Sequence, residues 1–228
     1  MKVLILIDAD NFRNGFINAA KKRSQFRYID YYKLSKFILE YLANNLQYKN
    51  TELTHLRTYF YSGEYTDNLL TRIESSIKKE KSELRKTQLN EKIESAKKNK
   101  EQQSKFFKLA KNYYFFEIRT KPLQFSPSKI SIFQKGVDVQ IAVDLVEFSY
   151  KNVFDIAVLL SGDIDLLESI KTAKRLGKHV LVFGDESVVA EEMKREADLF
   201  INIGRFTDEQ LDKISHIPEK NNPENSSL

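Results

Sequence analysis

Two short stretches, KVLILID (residues 2–8) and FDIAVLLSGD (154–163), are apolar with almost no alternation. A strand with one wet face alternates apolar and polar residues, so an unbroken run belongs to a strand covered on both sides, as in a parallel sheet between two layers of helix. GKHVLVFGD (177–185), ADLFINIG (197–204) and ELTHLRTYFYSG (52–63) supply three more strand candidates. Helical segments fall between them, over 31–46, 137–150, 164–176 and 188–196. Strands alternating with helices predict an α/β fold: a doubly wound, mostly parallel sheet flanked by helices.

Residues 66–112 break the alternation. This stretch has no glycine or proline and is made largely of good helix formers, and it is too long for a structureless loop. It predicts a long helix or a helical hairpin inserted into the domain. Between Arg72 and Lys111 there are thirteen Lys or Arg against six Glu, a local net of +7 in a chain whose total is +5, which leaves the remainder at −2. A solvated helix face is the ordinary reading of such a run; the functional reading is a grip on a nucleic-acid backbone, which needs positive charge and no sequence code. At 228 residues one domain is expected, over 1–206. Residues 207–228 then form a short C-terminal segment ending in a polar, unpatterned, disordered tail.

Composition removes several chemistries. With no cysteine there are no disulfides, thiolate metal sites or cysteine nucleophiles, and His55, His179 and His216 are too dispersed in sequence to suggest a histidine-based site. No apolar run is long enough to span a membrane, and MKVLILIDADNF has too short an apolar core to be a signal peptide, so a soluble, cytoplasmic protein is expected.

Acids cluster where strands are expected to end. LILIDADN delivers Asp8, Asp10 and Asn11, and VLLSGDID delivers Asp163 and Asp165. Open α/β sheets bind ligands at the carboxyl ends of their strands, where strand order reverses, so Asp8 and Asp163 face one another if their strands are neighbours. On the helix of KGVDVQIAVDLVEFSYK, Gln140, Asp144, Glu147 and Lys151 form one polar stripe, read as a solvent face. Asp138 instead shares a face with Ile141, Ala142 and Leu145, and a carboxylate held on an apolar side needs a partner. A hard divalent cation, Mg²⁺ or Mn²⁺, would satisfy oxygen-only ligands. Simpler roles stand beside these: Asp8 and Asp10 organising a turn with Asn11, Asp165 with Glu168 as a capping box, and Asp144 as a surface acid. Tyr61 and Tyr65, near the end of a strand, are either core residues or platforms on which bases stack.

LILIDADNF, KGVDVQIAVDL and VLLSGDIDLLESI, followed by AKRLGKHVLVFG, resemble in order and approximate spacing the NYN domain, a branch of the PIN-like metal-dependent ribonucleases. The resemblance covers nearly the whole chain except the insertion and the tail. It implies a PIN-like sheet and Mg²⁺- or Mn²⁺-dependent hydrolysis of RNA, expected to be endonucleolytic, by a metal-activated water. Carried over position by position, Asp8, Asp138 and Asp163 look like the metal ligands, and Asn11, Asp144 and Asp165 like secondary residues of the catalytic site. Lys135, Ser161 and Tyr61 are the expected substrate contacts. Single-stranded or structured RNA is the expected partner, with a homodimer admitted and no membrane association. Leu166 stands where many relatives carry phenylalanine.

Two rivals remain. LIDADN also resembles the D-x-D motif of haloacid-dehalogenase-like phosphatases, in which Asp8 would be the nucleophile and Asp10 the acid/base. A non-catalytic RNA-binding module using the basic insertion is the other.

Overall fold

The computed structural model describes residues 1–21, 27–44 and 48–217. The chain opens with β1 (Lys2–Asp8) and passes without a loop into α1 (Ala9–Lys21). It continues through β2 (Tyr28–Ile29), α2 (Tyr31–Asn44) and β3 (Thr54–Glu64). The insertion follows as α3 (Asp67–Lys79) and α4 (Glu83–Ala110), and then β4 (Phe116–Pro122) and a small hairpin of β5 (Gln124–Ser126) and β6 (Ser131–Phe133). The last third is α5 (Val137–Tyr150), β7 (Ile156–Leu160), a 3-10 turn (Ile164–Leu166), α6 (Leu167–Arg175) and β8 (His179–Gly184). It ends with α7 (Glu191–Glu196), β9 (Leu199–Asn202), α8 (Asp208–Ile214) and β10 (Ser215–His216).

Six strands form one sheet in the order β4-β3-β1-β7-β8-β9, and every pairing in it is parallel. The chain winds outward from β1 through β3 to β4, then returns to the other side of β1 and winds outward through β7, β8 and β9. Strand order therefore reverses between β1 and β7, and the crevice expected of such a sheet lies past Asp8 and Leu160.

The apolar runs are explained by cover on both faces. Val3, Ile5 and Ile7 point into a core built with α1, α2 and α8, while Leu4 and Leu6 point the other way, into a core built with α5, α6 and α7. In β7 all five residues are buried. Fully burying a side chain of this size contributes about 1.5–3 kcal/mol, so the two central strands anchor both layers at once.

The insertion carries a third, smaller core. Leu69 and Ile73 of α3 pack with Leu89, Ile93 and Ala96 of α4 and with Phe125 of the β5–β6 hairpin. Thr66 starts α3 by accepting the Leu69 N–H on its side chain at 3.2 Å. The far end of α4 leaves this cluster: Phe106 and Ala110 belong to the main core on the α1–α2 side. A helix of 28 residues, about 42 Å long, is thus tied down near both ends.

At the C-terminal side, Thr207 and Gln210 form a capping box that starts α8, Leu211 and Ile214 pack into the main core, and β10 pairs antiparallel with β2. Most of the expected disordered tail, residues 218–228, lies outside the described residues, as do residues 45–46 of the helix expected over 31–46. Among the described residues no helix is long and apolar enough to cross a membrane.

The helix over 137–150 has the expected bounds, but it faces a different way. Its outer side exposes Val139, Val143 and Tyr150, whereas Asp144 is buried. The predicted polar stripe of Gln140, Asp144, Glu147 and Lys151 is therefore corrected: only Glu147 and Lys151, which pair with each other, are solvent residues. A helical wheel fixes angles within a helix, not which side meets the sheet.

Candidate active site

Asp8 is the last residue of β1 and also the cap of α1, since its Oδ1 accepts the Asn11 N–H at 3.2 Å. Its other oxygen, Oδ2, accepts the Ser161 hydroxyl at 3.2 Å across the β1–β7 boundary. Alternation along β1 places Asp8 on the side of Leu4 and Leu6, the side covered by α5. The residue is only 3 % exposed. Burial lifts its carboxyl from 3.8 to about 6; the Asn11 N–H and the Ser161 hydroxyl pull it back, and the negative charges of Asp10 and Asp163 raise it further. The turn-organising role suggested for Asp8 is thus real, as a helix cap.

The S-G-D turn is held to β1 by side chains. Asn11 Oδ1 accepts the Gly162 N–H at 2.7 Å, and Ser161 Oγ also accepts the Asp163 N–H at 3.3 Å. Ser161 is buried, which corrects its assignment as a substrate contact: its hydroxyl is a strut between Asp8 and Asp163. Asp163 Oδ1 in turn accepts the Asp165 N–H at 3.0 Å and caps the 3-10 turn. The capping box expected of Asp165 and Glu168 is absent, because α6 starts only at Leu167 and has no side-chain cap; Asp165 is exposed and Glu168 pairs with Lys171. The capping role belongs to Asp163.

Gly162 is required by contact. A Cβ built on it would lie 2.6 Å from Val188 O and from Val189 Cα, both backbone atoms, while Gly162 O accepts the Ala190 N–H. Gly162→Ala is expected to cost about 1–3 kcal/mol through overpacking, read as a lower urea midpoint, and to displace Asp163 from Asp8.

Asp138 lies in the first turn of α5, half-buried, after Gly136 at φ 80°. α5 packs against β1 and against the 3-10 turn capped by Asp163, so its N-terminal acid belongs to an element bounding the same end of the sheet. The start of a helix also favours negative charge. Among the described residues, no three acidic or imidazole side chains already close on one point. Lys135, between β6 and α5, is exposed.

Asp144 and Tyr61 form a different unit. Tyr61, at the Asp8 position of the neighbouring strand β3, is fully buried and donates its hydroxyl to Asp144 Oδ2 at 2.8 Å. Arg119 of β4 pairs with the same oxygen, donates from Nε to Glu117 at 3.0 Å, and lies 4.2 Å from the Tyr59 ring centroid. Base stacking on Tyr61 is therefore corrected, since neither face of its ring is open. Burial, and then Asp144, hold the Tyr61 hydroxyl far above the usual tyrosine range. Asp144 is likewise corrected from a surface acid to one neutralised in a buried ion pair. Arg119 is the residue that sequence reasoning missed, because β4 was not recognised as a strand. Asp10 carries its own cation, Arg13, at 2.7 Å on the surface of α1.

Comparison with known proteins follows the same outline. A crystal structure of a protein of unknown function from Vibrio parahaemolyticus covers 94% of this chain and 96% of its own, with TM-score 0.54 and 17% identity, a likeness of fold. An uncharacterized protein of Methanocaldococcus jannaschii is 35% identical over 86 residues, which are 38% of this chain and 35% of that protein. Residues 2–204 match the NYN domain, so the insertion lies within the matched span. The sheet that reverses its order beside Asp8 is thus the PIN-like sheet to which the linked motifs pointed, and the chain belongs to the NYN domain family.

Proposed function

We propose that this chain is a divalent-metal-dependent ribonuclease, with Asp8, Asp138 and Asp163 as ligands of Mg²⁺ or Mn²⁺. The observation that carries this reading is Asp8: a buried carboxyl raised to about 6, whose charged neighbours, Asp10 and Asp163, are both negative. A protein retains such a group at a cost in stability, and an oxygen-only donor set of this kind suits a hard cation that keeps several waters. A bound ion would polarise a phosphodiester oxygen and supply an activated water.

The chain's own residues do the positioning. Ser161 fixes the orientation of Asp8 and the start of the Asp163 turn with a single hydroxyl. Asn11 locks that turn to α1, so both strand ends keep a constant spacing. Asp138 sits in the first turn of α5, the helix that covers the face to which Asp8 points. Asp165, exposed one turn past Asp163, stands as an outer acid facing solvent. Asp144, held by Arg119 and Tyr61, orients α5 and through it Asp138. The +7 of residues 72–111 gives a polyanion a reason to approach, and Lys135 adds an exposed cation between β6 and α5.

Labelled single- and double-stranded RNA incubated with Mn²⁺ or with EDTA tests the reading. Cleavage is expected with Mn²⁺ only, with a loss of about a hundredfold or more in Asp138→Asn and a much smaller loss in Asp10→Asn. Abolition by Asp10→Asn, with Asp138→Asn active, would transfer the site to phosphatase chemistry. Binding of RNA in EDTA without any cleavage in Mn²⁺ would leave a binding module.

A further inference from the structure

A cavity of about 250 Å³ opens at the same end of the sheet as Asp8, between α4, the end of β3 and the β5–β6 hairpin. Its near end is the start of α1, where Asp10 and Arg13 line it, and the Asp10 charge already acts on Asp8. Pockets for drug-sized molecules run to roughly 300–1,000 Å³, so this one suits a single small ring system.

The floor is set by Gly63. A Cβ there would lie 2.3 Å from Leu123 Cδ2, so with glycine the Leu123 side chain, just before the hairpin, packs directly on the strand end. Both backbone groups of Gly63 are held by amides: Gln134 Oε1 accepts its N–H at 2.9 Å and Gln103 Nε2 donates to its carbonyl at 2.7 Å. The first bond commits the oxygen of Gln134 and leaves its NH₂ as a donor with no protein partner among the described residues. Across the cavity, Asn99 Nδ2 donates to the Tyr65 hydroxyl at 3.1 Å, which leaves Asn99 Oδ1 as an acceptor. Phe133, on the rim, is 41% exposed and belongs to none of the three cores.

The pocket has an aromatic rim, the Gln134 donor, the Asn99 acceptor and the Gln102 amide, and its charged lining residues, Arg13 and Asp10, pair with each other. It fits a neutral, flat heterocycle with a donor and an acceptor along one edge. We infer that the insertion and the hairpin build a pocket for one unstacked nucleobase of single-stranded RNA, on the α1–α2 side of the same end of the sheet that carries Asp8. This identification of the ligand rests on the ribonuclease reading, whereas the test of binding does not. Phe133 stacks on the base, and Gln134 and Asn99 read its edge.

Short single-stranded oligoribonucleotides carrying one 2-aminopurine, titrated with the full-length protein in EDTA, report stacking by quenching. Wild type is expected to quench the probe, and Phe133→Ala, at a position outside the cores, to lose the quench and bind roughly fivefold more weakly or worse. Wild type is also expected to distinguish oligo-A, -C, -G and -U, and Asn99→Leu and Gln134→Leu to flatten that preference. Equal affinities and equal quenching in wild type and Phe133→Ala would overturn the inference. In a parallel digestion with Mn²⁺, base-dependent binding without cleavage would leave the pocket standing while removing the hydrolase. Cleavage with the same base distribution in wild type and all three variants would retain the hydrolase and overturn the pocket.

Discussion

Asp8→Asn is expected to destroy cleavage and to stabilise the metal-free protein. Removal of one ligand of the proposed ion should cost about a thousandfold or more in RNA hydrolysis, which is about 4 kcal/mol of transition-state stabilisation. Asparagine keeps the cap of α1, because its amide oxygen can still accept the Asn11 N–H, so the fold should survive. The stability gain follows from the raised carboxyl. Between pH 3.8 and about 6 the native protein holds a proton on Asp8 that the unfolded chain has released, so stability falls as pH rises through that window and stays low above it. The ceiling on the effect is about 3 kcal/mol. Thermal melts in EDTA should therefore show Asp8→Asn above wild type at pH 8, with the gap closing as pH falls toward 4. Mn²⁺ should raise the wild-type midpoint at pH 8 and leave the variant almost unmoved. A variant that melts lower than wild type at pH 8, or cleaves as well as wild type, would remove Asp8 from the centre of the site.

Arg119→Met is expected to be among the most damaging single changes away from the acids. It leaves Asp144 buried with its charge unpaired, and it removes the guanidinium that lies against Tyr59. Breaking a buried pair from one side costs about 3–5 kcal/mol; because Arg119 keeps 23% of its side-chain surface exposed, a loss of roughly 2–4 kcal/mol is the fitting expectation. The double variant Arg119→Met, Asp144→Leu should regain much of this, since no lone charge remains. Urea unfolding of the two single variants and the double variant measures the coupling directly. If Asp144 acts only through α5, Asp144→Asn should lower stability and leave the Mn²⁺ concentration for half-maximal cleavage nearly unchanged. A shift of tenfold or more in that concentration would make Asp144 a ligand.

The parts of the fold that were readable were those whose physics is local. β1 and β7 were visible because cover on two faces leaves no polar residue in the run, and α5 because its bounds are set by Gly136 and by the end of its apolar periodicity. α1 was not visible: it starts directly after a strand and contains an aspartate, three asparagines and a glycine, all poor helix formers. Its core face of Phe12, Phe16, Ala19 and Ala20 was the available signal. β4 was hidden by its place at the sheet edge, where Glu117 and Arg119 are tolerated and Pro122 ends the strand.

The site divided along the same line. Asp8 and Asp163 could be placed by where apolar runs end. The roles of Ser161, Tyr61 and Asp144 depended on partners across the sheet, 153, 83 and 25 residues distant in sequence. No periodicity within one helix or strand contains that information. Gly162 and Gly63, whose missing side chains let other segments close in, are legible only from the atoms that approach them.

The reversal of strand order at β1 also fixes a timetable. β1 is made first, finds β3 within the next sixty residues, and then waits for β7 until residue 156 and beyond. At 5–20 residues per second that interval is roughly 5–20 s, during which a strand whose five central residues are apolar has a bare edge. The insertion is synthesised inside this interval, and with the β5–β6 hairpin it has a core that does not need β7. Until β7 arrives, a growing chain has Asp8 but neither Ser161 nor Asp163, so the candidate site cannot form before the chain has been made past residue 163.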